Sequence, residues 1–136
     1  MAVSYANGAG YPEVRGPLVE RADYESLRSK AADILSAAGN ENYLPILFCQ
    51  FRFTANGLTT WDTPVRCWEK PMCLVGPTVS SDNVTLLHEV GHAAGLDHDR
   101  TSTDAQNRNF MHEATTRTTM FQWQIQKMAQ AFYAKS

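Results

Sequence analysis

Three of the four histidines in the chain lie in one short stretch, HEVGHAAGLDH, residues 88–98. His88 and His92 are four residues apart, so on an α-helix they share one face and lie about one turn from each other. Both imidazoles can then reach the same ion, and neutral imidazole is a common ligand for zinc. The spacing therefore predicts a metal site that begins with these two histidines.

A third ligand is predicted a few residues later. Gly95 can adopt a left-handed backbone conformation, end the helix and turn the chain sharply, which would bring His98 back to the same ion. Three imidazoles leave one position of a tetrahedral zinc ion open, as catalytic sites require. The remaining histidine, His112, would close that position as a fourth ligand, so we expect it on the surface or on the wall of a pocket.

Glu89 directly follows the first predicted ligand and lies about 100° further around the helix. From there its carboxylate cannot easily bind the metal, but it can reach a water molecule that the metal activates. We therefore predict that Glu89 is the general base of a hydrolytic reaction. The alternative is a solvated helix carboxylate, and its position between two predicted ligands favours catalysis.

Residues 88–98 match the pattern HExxHxxGxxH, and the chain thereby resembles the metzincin zinc proteases. Downstream, the segment NFM (109–111) is similar to the Met-turn of that family, which implies that Met111 forms a hydrophobic floor under the metal without binding it. Asp99, directly after the third histidine, resembles the adamalysin branch. It is expected either to order its loop by accepting hydrogen bonds or to be solvated. Astacins carry a tyrosine where this chain has Glu113, so no tyrosine ligand is expected.

The resemblance implies a zinc-dependent endopeptidase with one catalytic Zn2+, held by His88, His92 and His98, acting on a protein or peptide substrate. Three alternatives remain open at this point. They are a zinc-binding protein that has the site without turnover, a zinc aminopeptidase or amidase, and a helical packing module without metal. Glu89 favours an enzyme, because a purely structural site does not need that carboxylate. Secretion is implied by the family alone.

The elements that must position these residues are indicated by hydrophobic periodicity. A helix is predicted over 18–38, ended by Gly39-Asn40, and a strand over 43–53 with Leu47, Cys49, Phe51 and Phe53 on one face. Further short strands are predicted over 58–61 and 73–79, and 67–79 is the expected edge strand for a peptide substrate.

Two helices are expected in the second half of the chain. The active-site helix, of about 13 residues, should follow the cap-type residues Ser80, Ser81 and Asp82. Its predicted apolar packing positions are Val84, Leu86, Leu87, Val90, Ala93 and Ala94. A final helix is predicted over 118–134, with Phe121, Ile125, Met128 and Phe132 on one face.

Together these elements predict an α+β fold, which the resemblance makes metzincin-like: a small twisted mixed β-sheet, a long backing helix, an active-site helix and a C-terminal helix. With 136 residues, the chain is expected to form a single catalytic domain over 1–136. Its N-terminal lobe would span about 1–95 and its smaller C-terminal lobe about 96–136. We expect a monomer.

Composition excludes several classes of partner. A net charge of −2 gives no reason to expect nucleic acid or an anionic membrane. No apolar run approaches the roughly 20 residues that span a bilayer, and residues 1–16 do not have the pattern of a signal peptide. The three cysteines are interpreted as free thiols, with a Cys67–Cys73 bridge as the alternative.

Overall fold

The computed structural model describes residues 13–15, 21–39, 42–55, 57–60, 71–76, 84–102, 104, 107–114 and 117–134. Within these residues the chain forms three α-helices and two small β-sheets, which confirms the α+β class at that level. In chain order, the elements are β1 (Glu13–Val14), α1 (Arg21–Ala38), β2 (Ile46–Phe48), β3 (Gln50–Phe51), β4 (Gly57–Thr59), β5 (Cys73–Val75), α2 (Thr85–Ala93), α3 (Gln122–Ala129) and a 3-10 helix (Phe132–Ala134). None of the helices in this part of the chain is long and apolar enough to cross a membrane.

The three-stranded sheet has the order β2-β5-β4. The central strand β5 runs parallel to β2 and antiparallel to β4, so Leu74 has Leu47 on one side and Leu58 on the other. The prediction that residues 67–79 form the edge was therefore wrong where it can be tested, at β5. All three residues of β5 are buried, as a continuous apolar run in an inner strand requires. Among the described strands of this sheet, β4 lies at the edge beside α2.

The predicted strand 43–53 is divided into two strands that belong to different sheets. β2 pairs with β5, whereas β3 pairs in parallel with β1. Between them, the backbone N–H of Cys49 donates to the Val75 carbonyl at 2.8 Å. The predicted alternation is confirmed: Leu47 and Cys49 are buried, Phe51 and Phe53 pack partly buried against the same core, and Phe48 is exposed.

The long helix α1 backs this sheet, as expected. Its buried residues Leu27 and Ala31 belong to the same hydrophobic cluster as Leu47 and Leu74. The predicted stop is also observed, since Gly39 has a φ of 72° and its N–H donates to the Leu35 carbonyl at 3.0 Å. Residues 18–20, where the helix was predicted to begin, lie outside the described residues.

The helix that was predicted to carry the active site, α2, is shorter than predicted. Its buried residues are Thr85, His88, Glu89, Gly91 and Ala93. The predicted packing positions Leu86 and Leu87 are instead 42% and 38% exposed. The inward face of the helix carries His88 and Glu89, and these two leucines lie on other faces. The cap predicted at residues 80–82 lies outside the described residues.

The last helix was predicted too long, and only part of its predicted apolar face packs against the core. α3 covers only Gln122–Ala129, and Phe121 and Ile125 are 38% and 50% exposed. Of its residues, Gln124 is the buried one, at 1% exposure. A polar contact of this glutamine, described below, sets the orientation of the helix. Met128 contacts a second hydrophobic cluster formed by Leu96, Phe110 and Met111.

Candidate active site

The rings of His88 and His92 are both oriented by hydrogen bonds to the backbone. Nδ1 of His88 lies 2.8 Å from the Phe110 carbonyl oxygen, and Nδ1 of His92 lies 2.7 Å from that of Leu96. A carbonyl oxygen only accepts, so each neutral ring has its hydrogen on Nδ1 and presents the lone pair of Nε2. Metal-ligating histidines are commonly oriented in this way.

The two Nε2 atoms lie 3.1 Å apart. Because each presents a lone pair, this contact is not an ordinary hydrogen bond, and it is favourable only with a proton or a cation between the two nitrogens. Two imidazole nitrogens that bind one tetrahedral zinc ion at about 2.0–2.1 Å lie about 3.3 Å from each other. The His88–His92 pair therefore has the spacing that a shared zinc ion needs.

The third histidine is brought to this pair by the turn at Gly95, which has a φ of 90°. The N–H of Gly95 donates to the His92 carbonyl at 2.8 Å and that of Leu96 to the Gly91 carbonyl at 3.1 Å. These are the two bonds of a Schellman motif. After the turn, the ring centroid of His98 lies 4.7 Å from that of His92.

Each of the three histidines offers one nitrogen, and these nitrogens all lie within 4.8 Å of one another. The group His88, His92 and His98 could therefore hold a metal ion, whose identity the geometry alone does not fix. Burial lowers the pKa of His88 to about 4 and also lowers the pKa of His92 and of His98. All three imidazoles are then neutral near pH 7, as metal ligands must be.

Glu89 lies on the neighbouring face of α2, 5% exposed, with its side chain against the edge strand β4. The Thr59 hydroxyl donates to its Oε2 at 2.6 Å. Burial raises the pKa of Glu89 to about 7, against the opposing effects of the Thr59 hydrogen bond and of the positive charge of Arg117. A carboxyl group whose pKa lies near neutrality is suited to accept and return a proton at that pH.

Met111 is fully buried and lies against α2. A Cβ atom placed on Gly91 would lie 2.5 Å from its Sδ and 3.0 Å from Cε2 of Phe110. Gly91 thus allows the 109–111 segment to approach the helix between the positions of two histidines. Sequence analysis missed this residue, although a glycine inside a nine-residue helix costs up to about 1 kcal/mol relative to alanine and is itself a signal.

The 109–111 segment is fixed to α3 by two buried amide side chains, Asn109 and Gln124. Nδ2 of Asn109 donates to Oε1 of Gln124 at 2.9 Å, and Nε2 of Gln124 donates to Oδ1 of Asn109 at 2.9 Å. The same Oδ1 also accepts from the N–H of Met111 at 2.9 Å. The pair was not recognised in the sequence, where apolar residues were expected to orient α3.

The loop after the third histidine is ordered by Asp99, one of the two roles expected for it. Oδ1 of Asp99 accepts from the N–H of Thr101 at 2.8 Å and from its hydroxyl at 2.6 Å. Nearby, Glu113 forms an ion pair with Arg100, and its Oε2 lies 3.9 Å from Nδ1 of His98. This carboxylate therefore lies next to the third histidine, which the sequence did not indicate.

The segment after Met111 contributes two further polar residues. Nδ1 of His112 accepts from the N–H of Ala114 at 3.0 Å, and the described metal-ligating group does not include this histidine. Arg117 is buried and donates to the His112 carbonyl at 3.2 Å. Its positive charge adds to the lowering of the pKa of His88 and partly offsets the raising of the pKa of Glu89. A buried cation therefore lies near the candidate site.

A cavity of about 430 Å³ opens beside the third histidine. The loop 95–101 and the beginning of α3 line it, and Phe121 and Trp123 form its aromatic part, with their rings stacked at a centroid distance of 6.4 Å. Trp123 is 56% exposed. The cavity therefore offers an accessible aromatic surface next to His98.

Comparisons of the chain with protein-family models, with curated proteins and with solved structures found no match. The functional interpretation accordingly rests on the residues described above, in particular the three histidines, Glu89 and the 109–111 segment.

Proposed function

We propose that this protein is a zinc-dependent endopeptidase of the metzincin type. One observation carries the proposal: the Nε2 atoms of His88 and His92 converge to 3.1 Å, with His98 folded next to them and a buried glutamate, Glu89, on the same helix. The order of backing helix, sheet, histidine helix, buried methionine and terminal helix also supports a metzincin-like fold.

The residues that would hold the ion are His88, His92 and His98. Three neutral imidazoles suit zinc and leave one coordination position for a reactant. When bound there, zinc would supply Lewis acidity, which makes water nucleophilic near neutral pH and polarises a carbonyl group.

Glu89 would act as the general base and acid. Its carboxylate accepts a proton from the water molecule that attacks the peptide carbonyl carbon, as the new C–O bond forms. It then donates this proton to the amine nitrogen as the C–N bond breaks. Glu89 ends in its starting state, so one residue serves both halves of the hydrolysis.

The peptide would be held in an extended conformation along β4. This strand lies at the edge of its sheet among the described strands, and it contacts the glutamate through Thr59. An extended peptide can add to such an edge as a further strand through backbone hydrogen bonds. In this proposal β4 takes the role that sequence analysis gave to 67–79, and the scissile bond lies beside Glu89.

The proposal is tested by incubating the purified protein with an unstructured substrate protein and identifying the fragments by mass spectrometry. We expect cleavage at internal bonds, about one zinc ion per chain and loss of cleavage in a chelator. E89A should keep its zinc and lose cleavage, whereas E25A, an exposed glutamate on α1, should retain both. Zinc retained without any cleavage would indicate a binding protein, and stepwise release of N-terminal residues would indicate an aminopeptidase.

A further inference from the structure

We infer that Thr59 is a positioning residue for Glu89: its hydroxyl holds the carboxylate oxygen Oε2 and leaves Oε1 to accept and return the proton. The inference rests on the proposed role of Glu89 as general base. Thr59 lies on β4, 30 residues before Glu89, and no sequence motif connects the two.

The assignment follows from the acceptors around one hydroxyl hydrogen. Thr59 Oγ1 lies 2.6 Å from Oε2 of Glu89, 2.9 Å from the Glu89 backbone oxygen and 3.7 Å from Sγ of Cys73. An ionised carboxylate is the strongest acceptor of the three, and hydrogen bonds of hydroxyl groups to carboxylates are typically about 2.5–2.7 Å long. The hydrogen therefore points to Oε2.

The rest of the carboxylate is held by the shape of the same strand. A Cβ atom on Gly57 would lie 2.8 Å from Cγ and 3.0 Å from Oε1 of Glu89. Gly57 and Thr59 are two residues apart on β4 and therefore lie on the same face of the strand. The side chain of Glu89 consequently fits against the backbone at Gly57 while Thr59 holds one of its oxygens.

Behind Thr59 lies a second donor. Cys73 is the cross-strand partner of Thr59 in β5, and its thiol is fully buried. Burial raises the pKa of Cys73 to about 12, so the thiol stays protonated. Because the Thr59 hydrogen points to Oε2, the contact of 3.7 Å between Sγ and Thr59 Oγ1 can be bridged by the S–H hydrogen of Cys73.

In this arrangement the two carboxylate oxygens of Glu89 have different roles. Oε2 accepts the Thr59 hydrogen throughout the reaction. In this proposal the hydrogen from water binds to Oε1, forming an O–H bond there as the O–H bond of water breaks. The same O–H bond breaks when the hydrogen is passed to the leaving nitrogen. Without the hydroxyl, either oxygen could take the proton and the carboxylate could rotate.

The first test compares T59V, which removes the hydroxyl at nearly constant volume, with T59S, which keeps it. We expect T59V to lower kcat by about tenfold to a hundredfold, as loss of positioning does, while KM and the zinc content remain close to those of the unmodified chain. T59S should restore most of kcat. A matched control is T60V, because Thr60 is the neighbouring threonine and its hydroxyl bonds to the backbone of Met72 and not to Glu89.

The second test does not depend on activity. In the metal-free protein with 13C-labelled glutamate, the Cδ signal of Glu89 is identified by its absence in E89Q. We expect T59V to shift this signal, and T59S and T60V to leave it in place. An unchanged Cδ signal in T59V, or an unchanged kcat, would overturn the inference.

If T59V does not fold, T59A replaces it in both tests, and equal results for T59A and T59S would overturn the inference as well. A chain without peptidase activity would refute the proposed function, whereas the Cδ signal would still show whether Thr59 holds Glu89.

Discussion

Sδ of Met111 occupies the space that a side chain at Gly91 would need, since a Cβ atom there would lie 2.5 Å from the sulfur. Met111 is fully buried, and Cε2 of Phe110 would lie 3.0 Å from the same Cβ atom, so the methionine has little room to move. The helix α2 and the 109–111 segment are thus in contact at Gly91, where the side chain can be no larger than a hydrogen atom.

We therefore expect G91A to destabilise the protein by about 1–3 kcal/mol, the usual cost of overpacking. This loss should exceed the gain of up to about 1 kcal/mol in helix propensity. Urea unfolding of the metal-free protein measures the difference. The double variant G91A/M111A should be more stable than the sum of the single effects predicts, because M111A removes the atom that the new methyl group meets. Increased stability of G91A alone would contradict the packing described.

Zinc should stabilise the folded chain, because the convergent histidines exist as a group only in the folded state. At a free zinc concentration a hundred times the dissociation constant, the gain is about 2.7 kcal/mol. Thermal unfolding with and without zinc measures it. H98A should weaken zinc binding strongly, whereas H112A should bind like the unmodified chain. Equal loss of affinity in both variants would show that His98 is not the third ligand.

The pH dependence of the metal-free protein should reveal two opposing effects: the lowered pKa values of His88, His92 and His98 act in one direction, and the raised pKa of Glu89 acts in the other. The pKa of His88 is lowered from 6.5 to about 4, so below pH 6.5 the unfolded chain binds a proton that the folded chain does not, and acid lowers stability. The pKa of Glu89 is raised from 4.5 to about 7, so above pH 4.5 the folded chain keeps a proton that the unfolded chain loses, and stability falls as the pH rises. Between pH 4.5 and 6.5 the two effects oppose each other.

E89Q removes the second of these effects. We expect its loss of unfolding free energy between pH 6.5 and 4.5 to exceed that of the unmodified chain by up to about 2 kcal/mol, since one pKa unit corresponds to about 1.4 kcal/mol. Urea unfolding at the two pH values, in the presence of a chelator, measures this difference. Parallel pH dependence of the two proteins would mean that the pKa of Glu89 is not raised in the folded state.

The buried amide pair of Asn109 and Gln124 should contribute to stability more than its surface counterparts do. Q124L removes the acceptor of the Asn109 Nδ2 group, while Oδ1 of Asn109 keeps the N–H of Met111. A buried polar group without a partner costs about 1–3 kcal/mol. Q126L, on the exposed side of α3, should change the unfolding free energy by less than about 0.5 kcal/mol. Similar effects of the two substitutions would contradict a specific role for Gln124.

The aromatic surface beside His98 is expected to bind a side chain of the substrate. W123A should raise KM for peptides and leave the zinc content and the unfolding free energy close to those of the unmodified chain, because Trp123 is 56% exposed. Steady-state kinetics on a peptide that the protein cleaves measures the change. I125A, also exposed on α3, is the control, and equal effects on KM would assign no role to the cavity.

The histidine group could be anticipated because its geometry is local. A spacing of four residues places His88 and His92 on one face, and a glycine such as Gly95 is a usual way to reverse the chain after a helix. The backing helix and the alternation around Leu47 could also be predicted from the sequence, since each depends on the periodicity of one element.

The contacts that bring in distant residues could not be derived in this way. Thr59 and Glu89 are 30 residues apart, and Asn109 and Gln124 are 15 apart. Such contacts arise from packing between elements, which local patterns do not encode. The edge strand was misplaced for a related reason, because strand order depends on pairing across the sheet and β5 has neighbours on both sides.

The unequal exposure of the three histidines suggests an order of events in loading and release. His88 and His92 lie on one helix, and their rings are held by hydrogen bonds to the carbonyl oxygens of Phe110 and Leu96. His98 follows the turn, and 34% of its side chain is exposed to solvent. In the proposed site, an arriving ion would first bind the preformed pair and then the outer imidazole. Exchange with a competing chelator would start at that outer ring, so the contact of His98 with the ion would set how long the ion stays.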